Sequence, residues 1–221
     1  MKIAIDGPAS AGKSTISKKV AQALHYTYLD TGAMYRAATY LALKLGLDLN
    51  DASKISEHLA QAKIDFQPGP DNTQQVLLNG VDITATIRSE QITGAVSQVA
   101  ALPEVRQTLV AQQRKIAAAK DIVMDGRDIG TTVLPDADVK IFMTASVAQR
   151  AQRRYLENTQ KGMTSSLAEI KKDIELRDYK DSHRQVSPLK QASDAVLVDT
   201  SNLDIEQVTQ KILAIIRQKM K

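Results

Sequence analysis

Residues 7–14 read Gly-Pro-Ala-Ser-Ala-Gly-Lys-Ser, a G-x-x-x-x-G-K-[ST] run. It follows the alternating segment Lys2–Asp6 and opens an amphipathic stretch, Ser14 to Leu24, with Ile16, Val20, Ala21 and Leu24 on one side. At average glycine usage of about 7%, chance gives such a match in a chain of this length with a probability on the order of 1%. The glycines and small residues let the backbone wrap closely, so that successive N–H groups and the positive end of a helix converge on a phosphate. Lys13 is then expected to reach the β- and γ-phosphates of a nucleotide, and Ser14 to ligate Mg²⁺. The plainer alternative is a glycine turn capped by Ser14 with a solvated lysine. It accounts for Ser14 and leaves two glycines and a lysine unexplained.

The rest of the 221 residues alternates short β-rich runs with longer helical patterns. Strands are expected at Lys2–Asp6, Tyr26–Asp30, Ile122–Asp125, Val139–Thr144 and Ala195–Asp199. This alternation predicts an α/β fold with a central parallel sheet covered by helices. A last packing helix is expected from Asp204 to about Lys219, with Asp204 capping its start. Between Phe66 and Ile87 the rhythm breaks: Gln-Pro-Gly-Pro, Val76–Leu78, Asn79-Gly80 and Val81–Ile83 signal a type I′ hairpin. This reads as a small antiparallel insert, residues 63–95, within a core of residues 1–62 and 96–221; an edge hairpin of the main sheet is the alternative.

The absence of cysteine excludes a disulfide scaffold and an iron–sulfur protein. No run of eighteen apolar residues occurs, and MKIAID leads straight into the first strand, so neither a membrane span nor an export signal is expected and the cytoplasm is the expected location. The formal net charge of +4 is unevenly spread. Residues 150–190 hold ten Lys or Arg against six Asp or Glu, residues 1–45 hold six against two, and residues 46–99 hold three against seven. With only 4% aromatic residues, small polyanions are expected as partners rather than nucleic acid. His25, His58 and His183 have no metal-ligand spacing, and Ser10 lies in G-x-x-S-x-G, which is not a nucleophile elbow.

A phosphate loop fixes a donor and leaves the acceptor open. Two further strand ends bear on it: Asp30-Thr31-Gly32-Ala33-Met34-Tyr35-Arg36, where Thr31 could cap the following helix, and Asp125-Gly126-Arg127-Asp128. Arg177, Asp181 and Arg184 share one helical face at i, i+4 and i+7; from spacing alone, an exposed ion pair and a ligand-facing cluster are equally open. Arg150, Arg153 and Arg154 form another cluster, for which the alternative is a solvated face paired with Glu157.

IDGPASAGKST, LDTGAMYR, SQVAALPEVR, DGRDIGT, PDADVKIF, RAQRRY and IELRDYKDSHR, with the hairpin, give the chain an almost end-to-end resemblance to bacterial cytidylate kinases. These are nucleoside monophosphate kinases of pyrimidine metabolism that pass the γ-phosphoryl of ATP to CMP or dCMP. The resemblance implies a three-layer P-loop kinase fold, a CMP-binding insert and an arginine-bearing helical lid, here about residues 145–190. It also implies a monomer that acts on ATP and CMP or dCMP with Mg²⁺, and that neither nucleic acid nor membrane is a partner. Gly7, Pro8, Ala9, Ser10, Ala11, Gly12, Lys13, Ser14 and Thr15 match the ATP-binding loop. Arg36, Arg127 and Arg184 match the groups that hold the CMP phosphate, and Thr31 and Tyr35 line the acceptor pocket. Relatives carry serine where this chain has Thr31, and the hydroxyl is retained. Ser97, Arg106 and Asp128 match the cytosine-reading groups, and Arg177 and Asp181 the sugar contacts. The catalytic cations implied are Lys13, Arg127 and Arg184, with Arg153 and Arg154 as lid candidates. Asp125, ending its strand, is expected to orient the Mg²⁺ hydration shell. A different small acceptor (UMP, AMP or shikimate) and a nucleotide-dependent RNA-binding module stay open; an acceptor assay and salt-sensitive RNA binding separate them.

Overall fold

The computed structural model describes residues 1–69, 74–160 and 162–220. Its residues fall into two compact units, Met1–Tyr28 with Ala119–Lys221, and Leu29–Ala118. The hairpin lies in the second of these.

The first unit is built on β1 (Lys2–Asp6), β6 (Ile122–Gly126), β7 (Val139–Thr144) and β8 (Val196–Asp199), with β2 (Thr27–Asp30) starting in it; the sheet order is β2-β6-β1-β7-β8 and the sheet is parallel. The five strands lie where the sequence places them, within one residue at each end. Ile3, Ala4 and Ile5 are fully buried, as expected of a central parallel strand whose side chains have no solvent face. Ile16 and Val20 of α1 (Lys13–Leu24) and Val208, Ile212 and Ile216 of α8 (Ile205–Lys219) pack into one core with Ile3, Ile5, Val123 and Ile141. Asp204 caps α8 by accepting from the Gln207 N–H, while the Gln207 side chain returns to the Asp204 N–H. Helices α6 (Val147–Gln160) and α7 (Leu167–His183) pack on each other through Ala151, Ile170 and Ile174 with Val147 and Tyr155. In the expected lid segment, Lys161 lies outside the described residues. Among the described residues, no helix is long and apolar enough to cross a membrane.

Parallel register sets the site. Asp6 stands opposite Gly126 on β6 and Phe142 on β7, so β1 and β6 end at one level while β7 runs two residues further, to Thr144. The chain then turns at Gly7, where a Cβ would lie 2.0 Å from the Met143 carbonyl oxygen and where φ is +149°. Only a residue without a side chain lets the loop leave β1 this close to β7.

The second unit carries α2 (Thr31–Lys44), α3 (Ala52–Gln61), α4 (Glu90–Val99), α5 (Pro103–Ala118) and a separate three-stranded antiparallel sheet, β3 (Ile64–Pro68), β4 (Gln74–Leu78) and β5 (Val81–Asp82). Leu78 pairs with Val81 across Asn79 and Gly80, whose φ values of +51° and +82° make the expected type I′ turn. The hairpin belongs to its own sheet and not to the edge of the main one. Strand β3 is an addition that the sequence did not announce: it ends in Pro68, which cannot donate to a ladder, and so reads as a linker although it pairs along β4. Pro70, at the end of the Gln-Pro-Gly-Pro run, lies outside the described residues.

Gly7→Ala is expected to lower stability by roughly 2–4 kcal/mol through the forced shift against β7 and the strained backbone. A denaturation midpoint equal to that of the parent chain would show that the loop has room there.

Candidate active site

In the first unit the loop from Gly7 to Gly12 delivers Lys13 as the first residue of α1. Gly12 takes the N-cap position at φ +87° with no side-chain cap, so the leading N–H groups of the helix are left for a ligand. Lys13 is only 6% exposed and donates from Nζ to the Pro8 carbonyl at 2.7 Å. The solvated-lysine alternative therefore fails. Burial, and then the charge of Arg127, push the Lys13 ammonium down to about 7, while Asp125, Asp6 and Asp181 pull it back up. Ser14 does not cap the helix. Its hydroxyl donates to Asp125 Oδ2 at 2.9 Å, and the Tyr28 hydroxyl donates to Oδ1 of the same carboxylate at 2.7 Å.

Beyond Asp125, β6 runs into Arg127 and Asp128 and then a wide turn, Ile129–Val133, closed by i to i+5 bonds from Val133 to Asp128 and from Leu134 to Ile129. Asp6 fixes that turn by accepting from the Ile129 and Gly130 N–H groups at 2.8 and 2.7 Å. Burial pushes the Asp6 carboxyl up to about 6 against those two donors. Arg127 Nε donates to Asp181 Oδ2 at 2.8 Å, and Arg184 Nη2 to Asp128 Oδ1 at 3.2 Å. Burial works against the Arg127 charge, but Asp181, then Asp125 and Asp178, hold its guanidinium above the ordinary value. Arg184 stands one residue past the end of α7 and also donates to the Ser187 carbonyl at 2.6 Å. Arg177 lies half-buried on α7.

The arginine cluster of α6 divides. Arg150 is 4% exposed, which rules out a solvated face for it. Arg153 donates to the Thr200 hydroxyl at 3.1 Å and its carbonyl at 2.5 Å, and Arg154 pairs with Glu157 at 3.4 Å on the exposed side. In this structure neither is joined to the loop, whereas Lys13 sits within the influence of Arg127, Asp125 and Asp181.

In the second unit Asp30, not Thr31, caps α2: its Oδ1 accepts from the Ala33 N–H at 2.9 Å, while Oδ2 accepts from Arg36 Nη2 at 2.9 Å. Thr31 is buried as the first helical residue. Gly32 sits tightly under that pair, where a Cβ would meet Asp30 Oδ1 at 3.1 Å and Arg36 Nη1 at 3.3 Å. The Arg106 guanidinium lies 5.3 Å from the centre of the Tyr35 ring and donates to the Ala100 carbonyl at 3.2 Å; both side chains are buried. Ser97 is half-buried on α4.

Sequence reasoning missed Asp6, Tyr28 and Asp178, and named Arg150 within its cluster without singling it out. Only Asp6 carries a signal, as a carboxylate directly after the buried apolar run Ile3-Ala4-Ile5.

The family model for cytidylate kinase matches residues 3–218. A cytidylate kinase of Leuconostoc mesenteroides is 56% identical over 219 residues, covering 99% of this chain and 97% of that protein. One of Streptococcus equi subsp. zooepidemicus is 56% identical over 212 residues, covering 96% and 94%. Among solved structures, an uncharacterized protein from Eubacterium ventriosum aligns over 98% of both chains at 12% identity with a TM-score of 0.55. Shikimate kinase from Bacteroides thetaiotaomicron aligns over 98% of both at 10% identity and a TM-score of 0.50. At those identities the two structural likenesses speak for the fold alone. With a phosphate-binding loop in place and a match that runs from Ile3 to Gln218, the chain belongs to the cytidylate kinase family.

Proposed function

We propose that the chain transfers the γ-phosphoryl of ATP to CMP or dCMP, giving ADP and the corresponding diphosphate. The observation that carries this reading is the whole-length similarity to cytidylate kinases at 56% identity. The loop with its buried Lys13 supplies the chemistry that such a transfer requires. The acceptor is a phosphate oxygen, already anionic near neutral pH, so no general base is needed. Two anions must be brought in line and the charge that spreads as the phosphoryl moves must be neutralised.

The residue roles follow from the side-chain chemistry. Lys13 and the N–H groups from Gly7 to Thr15 hold the ATP phosphates. Arg127 and Arg184 of the first unit, and Arg36 of the second, are assigned to the CMP phosphate. Asp128 accepts from the exocyclic amine of cytosine and Arg106 donates to its ring acceptors, and Ser97 is assigned to the base as well. Thr31 and Tyr35 line the acceptor pocket, and Arg177 and Asp181 take the sugar. Arg153 and Arg154 act as lid arginines only by leaving Thr200 and Glu157. The Ser14 hydroxyl and the Asp125 carboxylate, 2.9 Å apart, are oxygen donors of the kind that suit Mg²⁺, which keeps several of its waters. When bound there, Mg²⁺ supplies charge neutralisation to the β- and γ-phosphates. The location assigned is the cytoplasm and the working form a monomer.

A coupled assay across CMP, dCMP, UMP, AMP and shikimate is expected to show turnover chiefly with CMP and dCMP; preference for AMP would sink the assignment. Lys13→Ala should lower kcat at least about 100-fold while the fold survives, as followed by circular dichroism and steady-state kinetics. Asp128→Ala should raise KM for CMP about tenfold or more and spare ATP binding, because the carboxylate acceptor is lost from the base site. An unchanged KM for CMP would remove Asp128 from that role.

The depressed Lys13 gives a pH dependence of definite sign. Phosphate oxygens favour the ammonium, so ATP binding raises the lysine above about 7 and takes up a proton. Affinity is therefore highest below pH 7 and falls as pH rises past it. ATP's own titration is common to both proteins, so a Lys13→Arg variant, charged throughout, should lose this decline in calorimetric titrations and show no proton uptake.

A further inference from the structure

We propose that Arg150 and Asp178 are positioning residues for the donor: a clasp from helices α6 and α7 that holds the phosphate loop in register at Ala9. This rests on the assignment of that loop to ATP. Arg150 Nη1 donates to the Ala9 carbonyl at 3.1 Å and forms an ion pair with Asp178 Oδ2 at 2.6 Å, while its Nε donates to the Ala145 carbonyl at 2.9 Å. Asp178 Oδ1 accepts from the Ala9 N–H at 3.4 Å. Both polar groups of one loop residue are thus gripped by two side chains that also grip each other.

The position of the grip matters. Ala9 immediately precedes Ser10, a non-glycine residue at φ +58°, a conformation that persists only where its surroundings over-determine it. Fixing Ala9 in both directions supplies that determination, and with it the path of the N–H groups that follow. The clasp also carries the helix pair's position to the loop, because Arg150 sits beside Ala151 on α6, whose side chain packs against Ile170 and Ile174 of α7. Asp178 further helps to keep Arg127 charged. A misplacement on the order of 1 Å in such a loop costs phosphoryl transfer about 100-fold. Neither residue need touch a nucleotide for this role.

The test separates register from mere stability. Asp178→Asn keeps an oxygen for the Ala9 N–H but takes the anion from the buried Arg150 and sets an amide donor against it, so it is expected to lower Tm and to raise KM for ATP as well. Arg150→Met should raise KM for ATP and lower kcat, together about 10- to 100-fold in kcat/KM, with KM for CMP nearly unchanged. It also strands the Asp178 charge, so the double variant Arg150→Met/Asp178→Leu is made to remove both charges at once. In the double variant Tm should return towards the parent value while KM for ATP stays raised. A double variant that regains parental KM for ATP along with Tm would overturn the clasp, as would a single variant whose activity loss tracks its unfolded fraction alone. Arg150→Lys keeps the charge without the paired donors and should not rescue KM. Lys13→Ala in parallel keeps the two readings apart: normal turnover there defeats the loop assignment itself, whereas a dead Lys13→Ala beside an ATP-competent double variant defeats only the clasp.

Discussion

The first unit's chemistry depends on one electrostatic constraint: a guanidinium or ammonium taken out of water must be answered by an anion or a carbonyl. Arg127 is answered by Asp181, Arg184 by Asp128, Arg150 by Asp178, and Lys13 by the Pro8 carbonyl within the field of Asp125, Asp6 and Asp181. Each unanswered charge would cost several kcal/mol, so the carboxylates allow a cationic centre to stand ready before any polyanion arrives.

Those partners come from distant parts of the chain, and the parallel sheet is what gathers them. Because Asp6 lies level with Gly126 and Phe142, the loops leaving β1 and β6 start side by side, and Ser14 meets Asp125 across 111 residues of sequence. The last turns of α7 reach the same place with Asp178, Asp181 and, just beyond the helix, Arg184. β6 is buried throughout and β1 from Ile3 to Asp6, whereas α7 carries exposed Leu176 and Tyr179. Displacement of α7 would alter three ion pairs at once while leaving the sheet as it is.

The fold was legible because its signals are periodic and local. Short runs of apolar residues, an Asn-Gly turn and an Asp cap declare themselves within a few residues, and each was found in place. Strand β3 was hidden because its pairing partner, not its own composition, makes it a strand. The site was legible in part, through motifs that carry Lys13, Ser14, Asp125, Arg127 and Asp128. Arg150 and Asp178 could not be read: α6 and α7 show ordinary charged helical faces, and nothing in a 3.6-residue period says which arginine will turn inward. Burial decides that, and burial belongs to the tertiary arrangement. The cap of α2 fell to Asp30 because its backbone is extended while Thr31 is already helical.

Asp30 divides its two oxygens between separate tasks, one starting α2 and the other orienting Arg36. Heredity at this codon is consequently coupled. Asparagine could still begin the helix but would forfeit the ionic hold on the guanidinium, and glutamate, one methylene longer, would disturb both. With Gly32 wedged beneath, three neighbouring positions can drift only together, and a lineage that altered one would have to rebuild the whole corner.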